Sequence, residues 1–157
     1  MSIKDQKTGG LVLTNCKISN NAFTNIALIK TTFALHLIYT EFNGNTLSSS
    51  KRMSLISVEE ASLQELTVTN NVDLGQNSTF LKVYNDLLMN KVDFNNNKFG
   101  VAIYSFGDVL LNSVNFTNFD CEFCYILKSQ YASSIQIQTI NVKDITTTTS
   151  LILISQL

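Results

Sequence analysis

Six apolar positions begin the same short pattern of hydrophobic and polar residues along this chain. In each case core-type residues follow three and five positions later, and Asn, Gly or Asp follows seven positions later. The six anchor positions are Leu13, Leu37, Leu63, Met89, Leu111 and Ile137. Their numbers differ by 24, 26, 26, 22 and 26. A repeat of this size is typical of a solenoid, in which each repeat is one supersecondary unit.

Each repeat is predicted to contain about three short β-strands separated by bends. The anchor and the residue two positions before it point to one face of a strand, because side chains alternate along a strand. The next core residue comes three positions after the anchor, which breaks the alternation and predicts a bend. A further apolar cluster follows in every repeat, at residues 27–29, 55–58, 80–83, 101–104, 125–127 and 151–154.

Turn-forming residues occupy the position seven after each anchor. These residue types tolerate the left-handed or tight-turn backbone angles that a bend requires. They are Asn20, Gly44, Asn70, Asn96, Asn118 and Asp144. The next position continues the run with Asn21, Asn45, Asn71 and Asn97. If the coils stack at the usual strand spacing of about 4.8 Å, we expect these columns to form ladders whose amides hydrogen-bond along the stack.

The coil pattern resembles that of the right-handed parallel β-helix of the pectin-lyase-like superfamily. The stretches LVLTNCKISNN at 11–21 and LLMNKVDFNNN at 87–97 match it, and VLLNSVNFTNF at 109–119 matches except at its last position. The resemblance covers residues 9–157, with residues 1–8 as a lead-in. We therefore expect one all-β domain, a β-solenoid of about six coils.

A leucine-rich repeat is the alternative fold. Met89, Val92, Phe94, Asn97 and Phe99 fit its spacing, and that family follows its Asn with a helix or a curved connector. The connectors of this chain favour the β-helix, because IALIK, SLISV, VAIYS and SLILIS have the composition of strands.

Composition narrows the function classes. The chain has 157 residues, 45% hydrophobic content, no Pro and a net charge of −1. That charge gives no basis for binding nucleic acid or an anionic membrane, and no apolar run reaches membrane-spanning length. Residues 1–10 lack the apolar centre of a signal peptide. The chain is therefore either intracellular or a segment of a longer chain, and we favour a segment of an extracellular or cell-surface protein.

The ends of the predicted stack favour association. A solenoid usually covers its terminal coils with an atypical cap, because an exposed coil offers unpaired backbone and apolar side chains to other chains. The pattern shows no amphipathic capping helix at either end. We expect further coils or a protein partner to contact at least one end.

Catalysis is a hypothesis that the resemblance raises, because the superfamily includes polysaccharide lyases and glycosidases. Such chemistry needs clustered carboxylates, with Ca²⁺ and a base for lyases or a paired acid and base for hydrolases. Glu41 and Asp93 are the candidates: they are expected two coils apart in one outward column, about 9.6 Å, at the upper end of the range for inverting enzymes. No further acid joins them, so we expect no enzyme activity and no cofactor.

The cysteines and the histidine have ordinary interpretations. Cys121 and Cys124 form CEFC in a loop, where two thiols alone cannot complete a zinc site. Free thiols or a local disulfide are favoured, with a metal or redox role as the alternative. Cys16 falls in a core column. Alternation turns His36 outward, and we interpret it as a surface histidine without a nucleophile beside it.

The outward columns are the expected contact surfaces. Leu88 and Leu110 come on adjacent coils and form an exposed apolar patch, which is predicted to be either a protein contact or ordinary surface. Asn77 and Asn115 lie in N-glycosylation sequons. A glycan ligand is a further expectation for the polar outward columns.

A non-enzymatic structural or interaction module is therefore the expected function, as one segment of a larger surface or assembly protein. The Asn-rich, Pro-free composition resembles the coil arrays of large protist surface proteins. A carbohydrate-active or carbohydrate-binding domain of the same fold is the alternative.

Overall fold

The structure is a computed structural model that describes residues 10–48, 52–75, 78–120, 125–147 and 150–155. All regular secondary structure within these ranges is β-strand. The strands are β1 (Gly10–Thr14), β2 (Lys17–Ser19), β3 (Ala22–Thr24), β4 (Ile29–Lys30), β5 (Ala34–Ile38), β6 (Glu41–Asn43), β7 (Thr46–Ser48), β8 (Ser54–Val58), β9 (Glu60–Thr69), β10 (Val72–Asp73), β11 (Thr79–Val83), β12 (Leu87–Asn95), β13 (Val101–Ser105), β14 (Val109–Asp120), β15 (Tyr125–Gln130), β16 (Ile135–Ile137), β17 (Ile140–Thr146) and β18 (Ile152–Ser155). Among these residues no helix is long and apolar enough to cross a membrane.

The strands form three parallel sheets. Sheet 1 has the order β1, β5, β9, β12, β14, β16, and also contains β2, β6 and β17. Sheet 2 contains β3, β7 and β10, and sheet 3 has the order β4, β8, β11, β13, β15, β18. Neighbours within a sheet come from successive repeats, so the chain winds as a β-solenoid of about five turns. The predicted parallel solenoid is confirmed. The alternative with helical connectors is wrong, because the connectors form the strands of sheet 3.

The register of sheet 1 follows the sequence repeat without a shift. Leu37 pairs with Leu13 on one side and with Leu63 on the other. Met89 continues the same column between Leu63 and Leu111. Each turn of the chain through the three sheets is called a rung below, and residues that pair between successive rungs form a column. The inward columns of the sequence pattern are therefore continuous rows of side chains through the stack.

Two rows of left-handed backbone bend the coils, the first in five coils and the second in six. The first row lies two positions after the anchor and comprises Asn15, Tyr39, Glu65, Lys91 and Ser113, with φ between 51° and 57°. The second row is the turn column Asn20, Gly44, Asn70, Asn96, Asn118 and Asp144, with φ between 52° and 66°. A single left-handed residue redirects the chain without a loop, at a cost of about 1–2 kcal/mol for most residues other than Gly, Asn and Asp. Asn and Gly suit the second row for that reason.

The buried amide ladder lies one position after the turn column. Asn45, Asn71 and Asn97 are fully buried, whereas Asn70 and Asn96 are exposed. The Nδ2 of Asn45 donates to the Oδ1 of Asn71 at 2.9 Å, and the Nδ2 of Asn71 donates to the Oδ1 of Asn97 at 3.0 Å. The expected Asn ladder is confirmed. The turn column contributes exposed contacts, such as the Nδ2 of Asn96 donating to the Oδ1 of Asn70 at 2.7 Å.

Aromatic side chains fill the middle of the core. Phe80, from sheet 3, meets Phe42 and Phe94 edge to face, with ring centroids 5.4 and 5.5 Å apart. Phe94 stacks on Phe116 with centroids 4.8 Å apart. All four rings are fully buried. Phe80 therefore joins sheet 1 to sheet 3 across the interior.

Sheet 2 is the element that the pattern did not predict. Its strands have two or three residues, too few to show an alternation of their own. The buried position of the third strand is Asp73, whose Oδ2 accepts a hydrogen bond from the backbone N–H of Ser78 at 2.6 Å. A charged residue in this column hides the hydrophobic signal of a strand.

The first and last rungs of sheet 1 expose side chains whose columns are buried elsewhere. Leu11 is 39% exposed, whereas Leu35 in the same column is fully buried. Ile137 is 37% exposed, whereas Leu111 is fully buried. Apolar surface is therefore accessible at both ends of the described stack.

Candidate functional site

Three surfaces run along the outside of the stack, and the first is a groove on sheet 1. The leucine groove has a volume of about 360 Å³ and is lined by residues that include His36, Glu60, Asp86, Leu88, Asp108 and Leu110. Leu88 and Leu110 pair directly in the register, so the patch expected from the sequence lies on adjacent rungs. Leu88 is 41% exposed and Leu110 is half-buried. The floor of the groove is therefore apolar and accessible.

Acidic residues line one side of the leucine groove. Glu60, Asp86 and Asp108 come two positions before the outward leucine column on three successive rungs, which are about 4.8 Å apart. The Oδ1 of Asp108 accepts hydrogen bonds from the backbone N–H groups of Ser133 and Ser134, both at 2.8 Å. In the described part of the chain, no side-chain contact neutralises Glu60 or Asp86, and no Lys or Arg lines the groove. The groove therefore attracts positive charge.

His36 lies at the N-terminal end of this groove. The expectation that no nucleophile type lies beside it is wrong, because the register pairs His36 with Ser62 on the next rung. The imidazole lies on the side of the preceding rung, away from Ser62. A Cβ placed on Gly10 of that rung would lie 3.6 Å from the Cδ2 of His36 and 3.7 Å from its Nε2. No hydrogen bond joins His36 to Ser62 among the described contacts. The geometry therefore does not form a His–Ser pair.

The second surface is a groove at the first bend. The bend groove has a volume of about 540 Å³ and is lined by Tyr39, Thr40, Glu41, Glu65, Thr67, Lys91 and Asp93. Glu41 and Asp93 lie two rungs apart in one column with Thr67 between them. This is the placement that the sequence pattern indicated for the two catalytic candidates. The expectation that no further acid joins them is wrong, because Glu65 lines the same groove.

Both catalytic candidates already have polar partners. The Nζ of Lys17 lies 3.1 Å from the Oε1 of Glu41, and the Nδ2 of Asn43 donates to the same oxygen at 3.1 Å. Asp93 accepts a hydrogen bond from the Nδ2 of Asn115. The hydrogen bond from Lys17 is the main reason that the pKa of Glu41 lies below its ordinary value, although partial burial opposes that shift. A carboxyl with a lowered pKa is a poor general acid near neutral pH.

Several sequence-predicted residues have no catalytic or metal setting that can be described. Asn77, Cys121 and Cys124 lie outside the described residues. Asn115 is half-buried on the outer face of β14, and its Nδ2, the atom that carries a glycan, is the donor to Asp93. Cys16 is a half-buried free thiol. Within the described ranges, no group of three or more metal-ligating side chains comes together.

The third surface is the outer side of sheet 3, which combines lysines with aromatic rings. One outward column of the register comprises Lys30, Ser57, Lys82, Tyr104 and Lys128. Tyr84 and Phe106 lie beside it, with stacked rings whose centroids are 5.6 Å apart. We call these seven residues the lysine face.

The ammonium groups of the lysine face contact rings. The Nζ of Lys82 lies 4.8 Å from the ring centroid of Tyr84 and 5.1 Å from that of Phe106. The Nζ of Lys128 lies 5.1 Å from the ring centroid of Tyr104. These distances are within the range of cation–π attraction.

Two tyrosines of the lysine face have pKa values that shift in opposite directions. A hydrogen bond with Lys82 lowers the pKa of Tyr84, because the ammonium stabilises the phenolate. Burial raises the pKa of Tyr104, because the phenolate is less well solvated there. Lys82 therefore supplies a positive potential at the surface of the protein.

Sequence reasoning missed the lysine face. The signal that was present is a Lys directly after an inward apolar residue, in Ile29–Lys30, Leu81–Lys82 and Leu127–Lys128. These pairs follow loops of different lengths, so the sequence did not show that they share one column. The acidic side of the leucine groove was missed for a similar reason, since its three residues sit just before the repeat pattern that we aligned.

Comparisons with known proteins add no identity. No family model matches the chain, and neither a curated protein nor a solved structure matches it.

Proposed function

We propose that the chain is a non-enzymatic interaction module that binds a segment of a partner protein in the leucine groove. The observation that carries this proposal is the position of Leu88 and Leu110, which lie side by side in a groove bordered by Glu60 and Asp86. Burying an exposed leucine side chain contributes about 1.5–3 kcal/mol, which favours an occupant with apolar side chains.

Charge selects the kind of segment. The carboxylates beside the leucines have no lysine or arginine within the lining of the groove. A segment with Lys or Arg next to its apolar residues would pair with these carboxylates and would be steered to the groove. The proposed occupant is therefore an apolar and basic segment of another protein.

The proposal includes the wider setting of the module. The solenoid with its Asn ladder and the coil pattern support membership of the pectin-lyase-like superfamily. The sequons at Asn77 and Asn115 support a secreted or surface-exposed protein. The exposed Leu11 and Ile137 support end-to-end contact with further coils or with a partner as a second mode of association.

A peptide-binding experiment tests the proposal. Fluorescence anisotropy would compare a labelled peptide of alternating Leu and Lys with the same peptide carrying Glu in place of Lys. We expect the Lys peptide to bind, and the double variant Leu88→Ser/Leu110→Ser to lose at least about tenfold in affinity.

The control is Leu74→Ser. Leu74 is 65% exposed and is absent from the lining of the leucine groove, so its replacement should leave the affinity unchanged. Equal binding of the two peptides, no binding of either, or equal affinity of the double variant would each contradict the proposal.

A carbohydrate-active domain is the second candidate, supported by the bend groove, where Glu41, Glu65 and Asp93 lie together. The discriminating experiment is a screen for lyase and hydrolase turnover on polysaccharides. Turnover that is lost in Glu41→Gln or Asp93→Asn would favour this candidate over the interaction module.

A further inference from the structure

The lysine face carries positive charge that no acid of the same copy neutralises. Within the described ranges, no carboxylate lies at ion-pair distance from Lys30, Lys82 or Lys128. The nearby acid Glu59, which directly follows β8, accepts a hydrogen bond from the Nδ2 of Asn85 at 2.9 Å instead. Aromatic rings attract the ammonium groups of Lys82 and Lys128 without neutralising their charge. The lysine face is therefore a strip of uncompensated positive charge.

The acidic side of the leucine groove is the opposite case. Glu60 and Asp86 are exposed, and among the described residues no lysine or arginine lies at ion-pair distance from either. Both hydrogen bonds that Asp108 accepts from backbone N–H groups go to its Oδ1, so its Oδ2 remains available. One surface of the chain thus carries the charge that another surface lacks.

The two sets of charges have the same spacing. Lys82 and Lys128 lie two rungs apart in one column, with Tyr104 between them. Glu60 and Asp108 are also two rungs apart, since they directly precede residues of one paired column of sheet 1. Two rungs correspond to about 9.6 Å along the stack. Two lysines of one copy can therefore meet two acids of another copy at the same time.

An apolar column lies beside each charged column, in the same order along the chain. Tyr84 follows Lys82 by two positions, and Leu88 follows Asp86 by two positions. Two positions of a strand span ~6.7 Å. Tyr84 is 45% exposed and Leu88 is 41% exposed, so both offer apolar surface to a partner. The two surfaces therefore match in apolar columns as well as in charge.

We propose that the lysine face of one copy docks in the leucine groove of a second copy, so that two solenoids associate side by side. This inference rests on the proposed function and identifies the partner as the chain itself. Because the charged and apolar columns follow in the same order, the strands in contact run in the same direction, and the two stacks run in opposite directions. Lys82 then faces Asp108, and Lys128 faces Glu60. The ring of Tyr84 packs on the leucine column.

Charge-reversal variants test the proposal by analytical ultracentrifugation. We expect the unchanged protein to self-associate with a Kd on the order of 0.1 mM, and to do so more weakly as the salt concentration rises. Glu60→Lys/Asp86→Lys reverses the charge of the groove, and Lys82→Glu/Lys128→Glu reverses that of the lysine face. Each variant alone should associate at least about tenfold more weakly. An equal mixture of the two should regain association, because a reversed groove then meets a reversed lysine face.

The control is Lys91→Glu/Lys143→Glu. It makes the same change in net charge as the lysine-face variant, at two exposed lysines that already have acidic partners and lie outside both surfaces. It should associate like the unchanged protein. Thermal unfolding of each variant verifies that the fold is intact.

Zero-length cross-linking locates the contact. A carbodiimide joins a lysine to a carboxylate that it touches, and a mixture of isotope-labelled and unlabelled protein identifies the links that form between copies. We expect such links from Lys82 to Asp108 and from Lys128 to Glu60. Links from Lys82 to Glu60 together with Lys128 to Asp108 would contradict the opposed direction of the stacks.

Three results would overturn the proposal. One is a protein that stays monomeric up to about 1 mM. Another is a mixture of the two charge variants that does not regain association. The third is association that is unchanged in both charge variants, which would assign the contact to the exposed ends of the stack. If a monomeric chain still binds the Leu and Lys peptide, this inference alone fails; if peptide binding is absent too, the proposed function fails with it.

Discussion

Asn71 donates a hydrogen bond from its Nδ2 to the Oδ1 of Asn97, 3.0 Å away on the next rung. The same Nδ2 also donates to the backbone carbonyls of Phe42 and Thr69, at 3.0 and 2.9 Å. The Oδ1 of Asn71 accepts from the side chain and the backbone N–H of Asn45. One fully buried amide thus joins three successive rungs, and every polar atom of its side chain is paired.

Replacing this amide should destabilise the protein markedly. We expect Asn71→Ala to lower the free energy of unfolding by about 3 kcal/mol, because it leaves buried backbone groups of the neighbouring rungs without their partner. Urea denaturation measures the change. The control is Asn96→Gly, which keeps a residue suited to positive φ and removes the exposed contact with Asn70. That variant should lose less than about 1 kcal/mol. Equal losses in the two variants would contradict the assigned role of the ladder.

The fold was largely predictable because the residue types in each column of the repeat reflect one physical requirement, such as burial or a left-handed bend. Leu37 and Leu63 are apolar because their column faces the core, and Asn70 stands where the backbone must turn left-handed. Stacking repeats these requirements on every rung, so even one sequence shows them several times. The position of the buried ladder was less clear, because Asn70 and Asn71 are identical in type and only burial distinguishes them.

The candidate sites were less predictable because they depend on contacts between columns rather than within one. Leu88 and Leu110 belong to the aligned repeat, so their pairing could be expected. Lys82 of β11 contacts Phe106, which directly follows β13, and loops of unequal length separate sheet 3 from the aligned pattern. Sequence spacing alone therefore does not predict such a contact.

Phe80 should be the most sensitive core position among the four clustered rings. Its ring contacts Phe42 and Phe94 of sheet 1 and also Phe99, which lies between β12 and β13. We expect Phe80→Ala to cost about 4 kcal/mol, because it opens a cavity between sheets 1 and 3. The control is Phe33→Ala, which truncates a 49% exposed ring and should cost less than about 1 kcal/mol. Chemical denaturation of both variants gives the comparison, and a cost at Phe80 no greater than at Phe33 would contradict this packing.

Gly107 should not accept a side chain. A Cβ at this position would lie 2.3 Å from the backbone carbonyl oxygen of Asn85, so the backbone of one rung would have to move. We expect Gly107→Ala to lower the free energy of unfolding by about 1–3 kcal/mol. At Gly10 the nearest atom to an added Cβ is the carbonyl oxygen of Ala34 at 3.3 Å, so Gly10→Ala should be milder. Thermal unfolding that ranks the two variants in the reverse order would contradict this close approach of the coils.

The carboxyl of Glu41 should titrate below the ordinary range of a glutamate. The hydrogen bond from Lys17 is the largest cause of its lowered pKa, and Asn43 adds a smaller one. We expect Lys17→Met to raise the pKa of Glu41 toward its ordinary value, as measured by NMR titration of the side-chain carboxyl. Lys91→Met removes a lysine that pairs with Glu65 instead and should leave the pKa of Glu41 nearly unchanged.

The same pair predicts a small pH dependence of stability. Because the pKa of Glu41 is lower in the folded chain than in the unfolded chain, the stabilisation by Lys17 is fully present above the unfolded pKa. It should decrease as the pH falls through the interval between the unfolded and the folded pKa, since the unfolded chain takes up the proton first. Lys17→Met should flatten this part of the stability profile in acid. If the unchanged protein and Lys17→Met lost stability in parallel over that interval, the ion pair would not be the cause.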